Sequence, residues 1–215
     1  MNLPILRTME KVTAFVTRGS GEAAELLLFA HPTAGIQLPA GTVEIMERPE
    51  TAVVREVEEE TGLRDIHLET RLGELYEELP PDKRWVLRPT KIFAEPAADA
   101  DGVGFMLFRG SCIRYFGDQD TFAHIAFIEH DHNQQPPQLL THIEGYVRRS
   151  LLTRRAVRYC YHLSIAAATD DVWTVQADGH LFRCFWSPLH PKPVIFPSQQ
   201  LWLDAVYDTL CQNLV

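Results

Sequence analysis

Glu56, Glu59 and Glu60 stand three and four residues apart in the run Arg55-Glu-Val-Glu-Glu-Glu60-Thr-Gly62-Leu63. In a helix that spacing puts the three carboxylates on one face, where they repel one another. No lysine lies between Lys11 and Lys83 to offset them. A hard divalent cation, which takes oxygen ligands, would resolve the repulsion. Arg55 precedes Glu59 by four residues and Glu47 lies in the preceding loop. The planar donor fork of Arg55 is expected to bridge these acids and hold their rotamers. In Leu38-Pro-Ala-Gly41, Pro39 and Gly41 are expected to bend the backbone sharply and aim the Ala40 carbonyl at the same cation.

The element that must position the carboxylates is a helix. Pro49 sits where a first helical turn tolerates proline, Glu50 to Thr61 are mostly good helix formers, and Gly62 is a natural C-terminal stop. Ala52, Val53 and Val57 form an apolar stripe that can pack on a sheet. A Glu-rich helix by itself is usually only a solvated face. Here the pattern is longer: Gly41, then Glu47 six residues on, then Arg55-Glu56-Val57, Glu59-Glu60 and Gly62-Leu63.

This segment resembles the Nudix box, the signature of the Nudix hydrolase family, with every fixed position filled. Flanking stretches extend the resemblance. Lys11–Arg18 and Glu25–Ala30 look like the first strands, Gln37–Gly41 like the entry to the box, and Leu181–Leu189 like the last core strand before a helix at residues 198–213. The resemblance implies an α/β/α sandwich around a mixed sheet that hydrolyses the diphosphate bond of a nucleoside diphosphate linked to another moiety. It implies that Glu56, Glu59 and Glu60, with the Ala40 carbonyl, bind Mg²⁺ or Mn²⁺, that Glu47 is an auxiliary ligand, and that Arg55 orients them. Such an ion neutralises diphosphate charge and lowers the pKa of a bound water. The general base stays open between Glu59 and a carboxylate outside the box: Glu74, Glu77, Glu78, Glu144 or Asp171.

The 215 residues, net charge −9, fit one domain with ample core and disfavour a general nucleic-acid binder, which needs a basic face. No apolar run reaches membrane-spanning length, and the N-terminus lacks a signal-peptide pattern. Cys112, Cys160, Cys184 and Cys211, with no Cys-x-x-Cys spacing, read as free thiols of a reducing cytoplasm.

The chain is longer than the family's minimal domain, and the excess is placed at about residues 77–155 as an inserted α+β lid or dimerisation segment. Pro80-Pro81, residues 96–102 and residues 134–137 read as loops. Trp85–Ala94, Gly104–Tyr115 and Phe122–Glu129 read as strands, and Leu139 to about Arg158 as a helix crowded with Arg148, Arg149, Arg154, Arg155 and Arg158. That helix is either a solvated basic face or a phosphate clamp. His130 and His132 suit a polar hairpin turn better than a metal site. Tyr76, Trp85, Phe105 and Tyr115 suit core packing better than base stacking. Gly19-Ser-Gly21 and Asp178-Gly179 are hairpin signals. Two classes of function remain: a metal-dependent pyrophosphohydrolase acting on a small nucleotide such as ADP-ribose or a nucleotide sugar, and a non-catalytic nucleotide-sensing module. The intact glutamates favour the enzyme. A homodimer is open.

Overall fold

A computed structural model describes residues 8–132, 134–177 and 179–214. In chain order it contains β1 (Met9–Arg18), β2 (Glu25–His31), β3 (Gly35–Gln37), β4 (Ala40–Thr42), α1 (Pro49–Thr61) and β5 (Ile66–Glu78). There follow β6 (Lys83–Val86), β7 (Thr90–Phe93), β8 (Gly102–Leu107), β9 (Cys112–Gln119), β10 (Phe122–Asp131), β11 (Gln138–Arg148) and β12 (Leu152–Thr153). The chain closes with β13 (Arg155–Ile165), β14 (Val172–Ala177), β15 (His180–Pro188) and α2 (Pro197–Gln212). The described residues divide into two compact units, one of 11–75 with 158–214, the other of 8–10 with 76–157.

The first unit is built on a sheet in the order β14-β15-β2-β1-β13-β5, with β3 paired to β2 and β4 to β1. Strand alternation sorts its side chains onto two faces. Val12, Ala14 and Val16 of β1, Leu27 of β2 and Tyr161, Leu163 and Ile165 of β13 pack with Ala52, Val53 and Val57 of α1. Phe15, Leu26, Leu28 and Cys160, from the intervening positions, pack with Leu203, Val206 and Leu210 of α2. Both faces are therefore apolar, as a sheet covered on two sides requires, and the architecture is the α/β/α sandwich expected. The helix α1 starts with Pro49 at its first turn and ends at Gly62 in the left-handed conformation, φ 70°. Burying each of Val53 and Val57 contributes about 1.5–3 kcal/mol.

The second unit is a seven-stranded sheet in the order β12-β6-β9-β10-β11-β7-β8. One face gathers Val86, Ile92, Leu107, Ile113, Ala123, Ile125 and Val147. The loop at Pro80-Pro81 lies between strands, as do residues 96–101 of the second expected loop, while Gly102 begins β8, and β10 and β11 form a hairpin from Phe122↔Arg148 to Asp131↔Gln138 with His132 in its turn. Trp85 is buried, Phe105 and Tyr115 pack on the core, and Tyr76 is exposed. The helix expected from Leu139 to about Arg158 is absent. That stretch is β11, a single 3₁₀ turn at Arg149–Leu151, β12 and the start of β13, so the described part of residues 77–155 is strand rather than α+β.

The basic helix goes with it. Arg148 lies over Phe122, Arg149 pairs with Asp118, and Arg154 donates to the Leu79 carbonyl. In the first unit, Arg158 is buried, donating to the Val12 carbonyl and Thr13 Oγ1 and lying 3.5 Å over Trp202. Arg148, Arg149, Arg154 and Arg158 thus make separate local contacts.

His162, buried in the first unit, is 2.9 Å from Thr17 Oγ1 through Nε2, while its Nδ1 has no hydrogen-bond partner among the described residues. Burial holds its pKa below the ordinary value, against a smaller opposing influence of Glu69. A depressed folded-state pKa means the unfolded chain takes the proton first. The stabilisation is present above about pH 6.5 and is lost as pH falls from there. Denaturant titrations between pH 7 and pH 5.5 should show an acid-side loss of up to about 1.4 kcal/mol per pH unit from this group. His162→Gln should flatten that slope by up to one proton, and an unchanged slope would remove His162 from the account.

Candidate active site

Arg55 of α1 is the centre of a network. Its Nε and Nη2 donate to the two oxygens of Glu47, both at 2.9 Å, a bidentate pair. Its Nη1 donates to Glu56 and to Glu59, each at 2.9 Å, and Nη2 also reaches the Thr42 carbonyl at 3.2 Å. Glu47 accepts a further bond from the Glu44 N–H at 2.8 Å. The Arg55 contact holds the Glu47 carboxyl below its ordinary pKa, against the opposing effect of burial, and the same contact raises the Arg55 pKa. Glu60 faces the box entry and accepts the Ala40 N–H at 2.9 Å. The sequence-predicted residues Glu47, Arg55, Glu56 and Glu59 thus meet in one cluster, and Glu60 meets Ala40.

Gly41 has a different role from the bend expected of it. It lies in β4, opposite Val12 of β1, outside the left-handed region. A Cβ there would stand 2.0 Å from the Glu56 carboxylate. Glycine is needed for clearance: it lets the acid lie flat against the strand.

The carboxylates occupy the last two turns of α1, where the helix carries partial negative charge, and no basic residue lies in its last turn. Hard oxygen donors at the negative end of a helix, pressed into a space that a Cβ would fill, suit a divalent cation. Among the described residues, no three His, Cys, Asp or Glu side chains are already gathered at metal-ligand spacing. The acids are held instead by Arg55 and by the Ala40 N–H.

Anchors at the C-terminal end of α1 come from β14 and β15. Trp173 Nε1 donates to the Thr61 carbonyl at 2.6 Å, and the Cys184 thiol points at the Glu60 carbonyl at 3.8 Å. Burial first, and the Glu60 charge second, push the Cys184 thiol up to about 12, so it stays protonated. On the other side, buried Gln199 of α2 accepts the Leu38 N–H at 2.6 Å and pins the entry to the box. Nothing in the sequence marks Gln199, because its partner is 161 residues away.

The outside carboxylates have other engagements. Glu74 pairs with Arg71, Glu78 with Arg154, Asp171 with Arg18 at 2.5 Å, and Glu144 with His124 at 2.7 Å. Glu77 also has an interaction of its own.

Gly41→Ala should force Glu56 away from β4 and Arg55 while the strand persists. Its cost should be coupled to Glu56 by about 1 kcal/mol or more, because the two groups are in contact. Adding Glu56→Ala should therefore make Gly41→Ala nearly neutral in urea unfolding. Additive costs would show that the clearance does not matter.

A search of curated proteins found no match. No helix among the described residues is long and apolar enough to cross a membrane. A family model described as NUDIX domain matches residues 7–147, well over half of the chain and including the whole of α1. The chain belongs to the NUDIX family of hydrolases of nucleoside diphosphate derivatives.

Proposed function

We propose that this protein is a Mg²⁺- or Mn²⁺-dependent pyrophosphohydrolase that cleaves the diphosphate bond of a nucleoside diphosphate joined to another moiety, with ADP-ribose and nucleotide sugars as the first candidates. The observation that carries the reading is the assembly of Glu47, Glu56 and Glu59 on Arg55 at the negative end of α1. Glu56, Glu59, Glu60 and the Ala40 carbonyl would hold the ion, with Glu47 as auxiliary. The ion supplies charge neutralisation for the diphosphate and a lowered pKa for a water.

The remaining work falls to the chain. Arg55 fixes the rotamers of Glu47 and Glu56, so the acids need little rearrangement when substrate arrives. Glu59, 59% exposed at its side chain, has open access to water and is our choice of general base. The same reading treats the chain as a single NUDIX domain carrying an insertion at about residues 77–155. Supporting it, β6 to β12 form a sheet and core of their own.

The test is phosphate release, with a coupling phosphatase for monoester products. The panel is ADP-ribose, UDP- and GDP-sugars, NADH, nucleoside triphosphates, dinucleoside polyphosphates and coenzyme A, with Mg²⁺ or Mn²⁺. One compound should be cleaved only when metal is present, and Glu60→Gln should lower its turnover by about a hundredfold or more with the melting temperature preserved. Wild-type turnover by Glu60→Gln would refute the site. Thermal stabilisation by a nucleotide that is never cleaved would favour a sensing module instead.

A further inference from the structure

Four rings meet on the α1 face of the first unit's sheet, past the C-terminal end of the helix. Phe29 and Phe182 stack with centroids 4.7 Å apart, and His31 lies 5.0 Å from Phe182 and 5.0 Å from His180. Register fixes their place. Phe29 is opposite Cys184, whose thiol meets the Glu60 carbonyl, and the next pair along, Leu27 and Trp186, lies in the core under α1. The rings continue the row that runs beneath the box helix. Gln37 of β3 sits beside Phe29, three residues before Ala40, whose N–H holds the Glu60 carboxylate.

The chemistry of this ledge is graded. Phe29 and Phe182 are buried and make its floor, His31 is half-buried, and His180 is exposed. His31 Nδ1 accepts the N–H groups of Thr33 and Ala34 at 3.1 and 3.2 Å. Thr33 Oγ1 lies 3.2 Å from the same nitrogen, so Nδ1 is turned to the backbone of the β2–β3 turn. Arg183 alternates to the opposite face of β15. Aromatic and hydrogen-bonding, the ledge suits a planar heteroaromatic ring better than another phosphate.

We infer that the His31–His180 pair over Phe182 is the subsite for the nucleobase of the substrate. The inference rests on the hydrolase reading for the position of the diphosphate. Four residue steps of β15 lead from His180 to Cys184, about 13 Å along a strand, a span that a nucleotide bridges from base to diphosphate.

The probes are AMP, GMP, CMP and UMP against ribose 5-phosphate and inorganic phosphate, without metal, read by NMR at the imidazole Hε1 protons. At least one nucleotide should shift the His31 and His180 signals upfield where ribose 5-phosphate and phosphate do not. His180→Ala should weaken that nucleotide about fivefold or more, as loss of a stacking partner does, and His180→Phe should restore it. On the cleaved substrate, His180→Ala should raise KM by a similar factor and move kcat less. Signals unmoved by all four nucleotides, or moved equally by ribose 5-phosphate, would overturn the subsite. Metal-dependent turnover beside unmoved signals refutes the ledge and leaves the hydrolase standing. A nucleotide shift in a protein that cleaves nothing supports the ledge and refutes the hydrolase.

Discussion

Crowding negative charge onto one short helix is the constraint around which the first unit is arranged. Glu56, Glu58, Glu59 and Glu60 lie within five residues at the helix end where the backbone dipole already disfavours anions. Arg55 answers with four donor contacts to carboxylates and one to a backbone carbonyl. Its geometry explains why a lysine would not substitute: a point charge cannot grip both oxygens of Glu47 and still reach Glu56 and Glu59. Because Glu47 and Glu56 are each only 13% exposed at the side chain, removing the guanidinium would take the Arg55 counter-charge from two largely desolvated carboxylates. Breaking one partner of such a set costs far more than the set contributes when intact.

That cluster is useful only if the helix cannot shift, and the surrounding elements hold it from several directions. Ala52, Val53 and Val57 fix its inner face to β1, β2 and β13. Trp173 and Cys184 reach the carbonyls of its last turn, where helices leave acceptors unsatisfied. Gln199, from the opposite side of the sheet, sets the height of the loop that delivers Ala40 and Gly41. Gly41 then admits the Glu56 carboxylate against β4. Each contact is short-range, yet the partners come from residues 38 to 199, so the site is a property of the folded sandwich rather than of the box alone.

The legible parts of the sequence were those with local causes. Pro49 and Gly62 bound α1 within a residue of where they stand, and the stretches Lys11–Arg18 and Glu25–Ala30 that resemble the family's first strands are β1 and β2. The stretch from Leu139 misled because Leu139, Leu140, Ile143 and Val147 recur at helical spacing. Non-local pairing decided otherwise: β11 lies along the whole of β10, and tertiary context overrides such a pattern. Gly145 held the clue. It is poor in mid-helix, and in β11 a Cβ there would stand 2.5 Å from the Phe93 carbonyl oxygen, so glycine is needed where β7 crosses closely. Gly41 was misread in the same way, as a bend, when its reason was the space it leaves. Gln199, His31 and Phe182 could not be read at all, since their meaning lies in partners far along the chain.

The arrangement also couples stability to charge. Arg55 and the Ala40 N–H hold the acids in the folded chain. A cation that binds only this arrangement would add stability by mass action, in proportion to the logarithm of its concentration over its dissociation constant. Glu56 and Glu59 share the single Nη1 of Arg55, whereas Glu47 holds the other edge of the fork alone. Glu59 is the more exposed of the two shared acids. The carboxylates gather negative charge at the C-terminal end of α1, beside Glu60 and the box entry. On the proposed hydrolase reading, an anionic diphosphate would be repelled from that place unless positive charge came with it, so substrate and cation binding are expected to be linked there.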